Sequence, residues 1–110
     1  MKVGIIRCLQ TEDYCPASTC LAIAKSKGGI FKEAQGSVEV VGVVSCGGCP
    51  GKRTAMRAKE LVRRGADTIA LASCIFEGTP IGFPCPNANL IKQVVTDAVG
   101  SEVAVLLKTH

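Results

Sequence analysis

Four short apolar runs divide the chain: Val3-Gly4-Ile5-Ile6, then residues 38–44, 68–72 and 103–107. They are rich in β-branched residues and mostly continuous rather than alternating, as expected of strands buried on both faces of a parallel sheet. The gaps between them carry helix punctuation. Pro16 and Ser18 open a first helix that Gly28-Gly29 closes. A second, Lys52 to Arg64, follows Pro50, ends in a basic turn and Gly65, and places Ala55, Ala58, Leu61 and Val62 on one stripe. Pro86-Asn87 opens a third, with Leu90, Ile91, Val94, Val95 and Ala98 on one face and Gly100 at its end. This βαβαβαβ order predicts an α/β domain: a small doubly wound three-layer fold, Rossmann- or flavodoxin-like, with a four-stranded parallel sheet in the order 2-1-3-4.

A chain of 110 residues can build one core and not two, so residues 1–110 read as a single domain. Hydrophobic residues make up 47% of it, yet no apolar stretch approaches the roughly 20 residues of a membrane span. The N-terminal Met1 to Arg7 turns polar too soon for a signal peptide and lacks a small-residue cleavage site, which predicts a first strand in a cytoplasmic protein. The net charge of +4 is modest. Its local excess, in residues 52–64, has no aromatic residue interleaved, which disfavours nucleic acid as a partner. A protein partner or a homodimer is left open.

Seven cysteines are the outlier: Cys8, Cys15, Cys20, Cys46, Cys49, Cys74 and Cys85. An odd number argues against a complete disulfide framework. Their positions are more telling. Cys8, Cys46 and Cys74 follow the first three apolar runs, and Thr109-His110 follows the fourth. In open parallel sheets, ligands bind outside the carboxyl ends of the strands. Cys49 and Cys85 fall in the loops of the same edge, and Cys15 and Cys20 in or just after the first loop, with no assigned role. Adjacent strands are about 4.8 Å apart, and tetrahedral zinc thiolates about 3.8 Å apart, so neighbouring strand ends can share a metal. Cys8, Cys46, Cys49 and Cys74 form the economical quartet, and Cys85 can replace one. His110 lies far from Cys46 in the predicted strand order.

The stretches "GIIRC", "QTEDYCP", "VSCGGCPGKR", "RRGAD", "ASCI", "GTPIGFPCP" and the closing "TH" together resemble the CGGC domain family, small proteins of mainly anaerobic bacteria and archaea. The resemblance covers essentially the whole chain. It implies a metal-binding domain, with zinc suggested by the family's cysteines and histidines, and it carries over Cys8, Cys15, Cys46, Cys49, Cys74, Cys85 and His110. Ala17 stands where the family pattern has glycine after "CP".

Three functions compete at this stage. A metal module would hold zinc, or less readily an iron–sulfur cluster, on Cys8, Cys46, Cys49, Cys74, Cys85 and His110; thiolates suit both. A thiol redox protein would use Cys46 as attacking and Cys49 as resolving thiol, with a helix N-terminus, Lys52 and Arg53 favouring the thiolate. That leaves Cys8, Cys74 and Cys85 without a purpose. An anion site would use the amides of Gly47, Gly48 and Gly51 with Lys52 and Arg53. A cysteine phosphatase would want arginine six residues after the nucleophile, where this chain has Lys52. No well-placed acid or base beside the cysteines is visible from the sequence, so no reaction is assigned.

Overall fold

The computed structural model describes residues 1–32, 34, 36–78 and 81–109. Strands β1 (Lys2–Arg7), β2 (Glu39–Ser45), β3 (Thr68–Leu71) and β4 (Ala104–Leu106) form one parallel sheet in the order β2-β1-β3-β4. Helices α1 (Ser18–Ser26), α2 (Thr54–Arg63), α3 (Ser73–Phe76) and α4 (Ala88–Val99) lie between them. Short 3-10 turns cover Leu9–Thr11 and Gly29–Phe31.

Burial follows strand position. The central strands β1 and β3 are buried almost throughout, whereas the edge strands β2 and β4 are mostly half-buried. Reversing direction across β1 puts α1 on one face, while right-handed crossovers put α2 and α4 together on the other. The core between these layers is built from Val3, Ile5, Ile6, Ile69, Leu71, Ile75, Ile91 and Val95, all almost fully buried. Phe31, completely buried in the turn after α1, was not marked by any periodicity.

The seating of α2 depends on two glycines. Gly4 of β1 and Gly42 of β2 are register partners, and together they leave a hollow that Leu61 fills. A methyl group at Gly4 would come within 2.8 Å of Leu61 Cδ1, and one at Gly42 within 3.0 Å of Leu61 Cδ2. The helix can therefore pack closer than side chains on both strands would permit.

The predicted helices differ from the observed ones mainly at their ends. The second starts at Thr54 rather than Lys52, after residues 49–53 have turned. The first ends at Ser26, and it is Lys27, not glycine, that takes the left-handed conformation (φ 57°) while Gly28 N–H reaches back to Ile23 O. In α4, Ile91 and Val95 are buried but Leu90 is 48% exposed, so the apolar stripe is narrower than the sequence pattern. Ala17 occupies the left-handed region at φ 68°. The turn that glycine would favour is thus kept by alanine, a conformation costing an L-residue about 1–2 kcal/mol.

Gly4→Ala is expected to lower stability by about 1–3 kcal/mol through overpacking against Leu61, and Gly42→Ala by less, because edge strand β2 can yield. Urea denaturation with an unchanged slope measures both; equal stability of Gly4→Ala and the parent would show that Leu61 does not set the helix–sheet distance.

Candidate metal centre

Parallel pairing brings the ends of β1, β2 and β3 to one edge, and the ladders run slightly past the strands. Cys46 N–H donates to Arg7 O at 2.7 Å, and Ala72 N–H to Ile6 O at 2.8 Å. Cys8, next along the chain, donates its N–H to the sulfur of Cys74 at 3.1 Å. The sequence pattern placed Cys74 at the end of the third strand. The strand stops at Leu71, and Cys74 instead lies in the first turn of α3, a short helix that the apolar periodicity did not reveal. This turn is what lays the Cys74 sulfur over the end of β1.

The loop after β2 is shaped by Gly47, Gly48 and Gly51, at φ 83°, 104° and 97°. A side chain at Gly51 would meet Ile91 Cγ1 at 2.7 Å, so the loop is pressed against α4. Thr54 anchors it by donating its hydroxyl to Gly51 O at 2.6 Å. Cys46 is buried (4% exposed) and Cys49 is exposed. Two of the candidate anion-binding amides are already used: Gly47 N–H donates to Ser45 Oγ at 3.2 Å and Gly51 N–H to Gly48 O at 2.9 Å. Lys52 and Arg53 project as exposed residues. Because α2 begins only at Thr54, Cys46 does not sit at a helix N-terminus, and the more accessible thiol of the pair is Cys49.

Cys85 returns to the same edge because its N–H donates to Ile75 O at 2.8 Å, and its sulfur accepts from Asn87 N–H at 3.4 Å. Cys20, buried on α1, contacts Thr109 Oγ1 through its sulfur at 3.1 Å. Thr109 is fully buried and its N–H donates to Ser73 Oγ at 3.2 Å. The chain after β4 therefore folds back over α3. His110 itself lies outside the described residues.

Burial pushes the Cys8 and Cys85 thiols above their ordinary value, and neighbouring sulfurs add to the effect: Cys46, Cys74 and Cys85 around Cys8, and Cys49, Cys46 and Cys74 around Cys85. Backbone hydrogen bonds, with Gln10 and Asn87 respectively, oppose it. Burial likewise raises Cys20, against the stabilising contact with Thr109. All the cysteines assigned to the metal are thus electrostatic neighbours. None of the seven forms a disulfide. Among the described residues, however, no group of three or more cysteine, histidine or acidic side chains is gathered closely enough to hold an ion as it stands. No helix among them is long and apolar enough to cross a membrane.

A parallel, flavodoxin-like sheet with thiols crowded at its C-terminal edge defines the class of this protein. The chain matches the CGGC domain model over residues 2–110 and belongs to that family. It is also 34% identical, over 119 residues covering 100% of this chain and 87% of the relative, to an uncharacterized protein of Methanocaldococcus jannaschii. No solved structure matches it.

Two outcomes are expected from this geometry. Competitive alkylation read by mass spectrometry should label Cys49 well before Cys20, which is buried and held protonated. Faster labelling of Cys20 would contradict its packing under Thr109. The second concerns pH. Cys8, Cys20 and Cys85 titrate above the ordinary 9.0 when folded. Between that value and their raised ones the native state binds more protons than the unfolded chain. Stability is then fully present below about pH 9 and lost as pH rises through the raised values. The urea midpoint of metal-free protein should fall above pH 9, and fall less in Cys8→Ser.

Proposed function

We propose that this protein binds a soft metal ion at the C-terminal edge of its sheet, zinc in preference to an iron–sulfur cluster. The observation that carries this reading is the approach of Cys8 and Cys74 through the 3.1 Å N–H···S contact, with Cys46 on the adjoining strand end. Filler cysteines would be scattered through the core, whereas these crowd one edge, where burial and then the neighbouring sulfurs raise the proton affinity of Cys8 and Cys85. Such crowding is unfavourable among thiolates alone and favourable around a cation.

The donor set fits such an ion in chemistry: thiolates are soft ligands that suit zinc and iron. Cys8, Cys46, Cys49 and Cys74 would hold it, with Cys85 able to replace one and His110 as a further donor. The described sulfurs do not form a closed shell, so binding requires the loops of Cys49 and Cys85 to draw inward. Gly47 and Gly48, ahead of the anchored Gly51, provide that freedom on one side. A bound zinc would supply positive charge that keeps these thiols ionised. The chain's own part is to release their protons, and because the thiols of Cys8 and Cys85 are held protonated, affinity should increase with pH.

The thiol redox reading is weaker here, because Cys46 is buried and separated from the start of α2. Elemental analysis of protein purified without oxygen separates the two. Near-stoichiometric zinc is expected, or iron if the site holds a cluster. It should be sharply reduced by serine at Cys8, Cys46, Cys49 or Cys74. Protein that is metal-free, cannot be loaded with zinc or iron, and forms a reversible Cys46–Cys49 disulfide regardless of Cys74→Ser would overturn the proposal.

A further inference from the structure

Beside Cys74, at the start of α1, lies a cavity of about 190 Å³ whose described lining includes none of the other proposed metal ligands. Arg7, the last residue of β1, lines it together with Tyr14, Cys15, Ala17, Ser18 and Thr19. Arg7 is a charged residue at only 9% exposure. Among the described lining residues its side chain is the one cation, and it has two partners in the chain. Among the described residues its only hydrogen bond runs from Nη2 to Cys15 O. Nη1 faces Glu12 Oε1 at 3.5 Å, longer than a charge-assisted hydrogen bond, and the Glu12 side chain is 47% exposed. A guanidinium carries five N–H donors, so one hydrogen bond and one half-exposed counter-ion leave it donors for a further anionic partner.

A second feature points into the same space. Helix α1 begins after Ala17 with no side-chain cap, so the first amides of the helix, at Ser18, Thr19 and Cys20, have no capping partner. Ala17 in the left-handed conformation turns the chain so that Ser18 and Thr19 border the cavity beside Arg7. Uncapped amides and the positive end of the helix dipole favour an anion there.

We propose that this cavity binds a small monocarboxylate, its carboxylate between the Arg7 guanidinium and the first amides of α1 and its apolar body against Ala17 and Ala72. One guanidinium and one helix start match one negative charge. The alanines and the ring of Tyr14 would leave the further oxygens of a phosphate dianion unsatisfied. The site is separate from the proposed metal ligands except for a shared wall at Cys74, and its test does not depend on metal.

Calorimetric titration of the protein, kept reduced, with butyrate tests this, with inorganic phosphate and butylamine as controls. Butyrate should bind one-to-one in the millimolar range, and phosphate and butylamine at least about tenfold more weakly. Arg7→Gln should weaken butyrate by about tenfold or more, the loss of a charge-assisted bond. Should Arg7→Gln not fold, the half-exposed Glu12 gives an independent test: Glu12→Gln removes the competing carboxylate and should tighten butyrate about threefold, the scale of an exposed ion pair. Butyrate should also slow alkylation of Cys15 while leaving Cys49 unaffected. No butyrate binding, equal binding of phosphate, or unchanged affinity in Glu12→Gln would each overturn the proposal and leave Arg7 as a clamp for the loop after β1.

Discussion

The cysteine-bearing edge depends on the parallel hydrogen-bonded pairing of β1 with β2 on one side and β3 on the other. Parallel strands all finish at the same edge, so any residue type that follows each strand is collected there whatever its separation in sequence. Cys8 and Cys74 are 66 residues apart and their N–H and sulfur meet at 3.1 Å. An antiparallel arrangement would have sent one of them to the other end of the sheet. The close approach of Leu61 to Gly4 and Gly42 serves the same arrangement, because it fixes α2 and with it the loop that carries Cys46 and Cys49.

The two proposed sites at this edge have opposite electrostatic needs. On one side, burial and neighbouring sulfurs raise the proton affinity of Cys8 and Cys85, a condition that a cation relieves. On the side of α1, a nine-tenths buried Arg7 and an uncapped helix start offer positive potential, which an anion relieves. Cys74 stands in the wall between them. Two adjoining regions of opposite preference give a reason for the edge to bind ligands that the packing of a core alone does not.

Much of this was legible from residue order. Strand class, the 2-1-3-4 order and the gathering of Cys8, Cys46 and Cys74 followed from β-branched runs and from where each cysteine falls after its run. What was missed was local and short. Helix α3 spans too few residues to show a 3.6-residue period, so the sequence pattern puts Cys74 at a strand end. Helix α2 starts later than its sequence pattern because Pro50 marks a turn, and the turn itself consumes residues up to Arg53. The pairing of Glu12 with Arg7 depends on how the chain folds back after β1.

By itself, the sequence determined which residues could be buried and at which edge the thiols would emerge, because hydrophobic period and chain direction are encoded locally. Only the tertiary structure decided which thiol is accessible, which is protonated, and that Arg7 is enclosed beside an uncapped helix. Exposure and proton affinity depend on what packs from distant parts of the chain: Thr109 over Cys20, Ile91 against Gly51, and the start of α1 beside Arg7. No short window of sequence contains those partners.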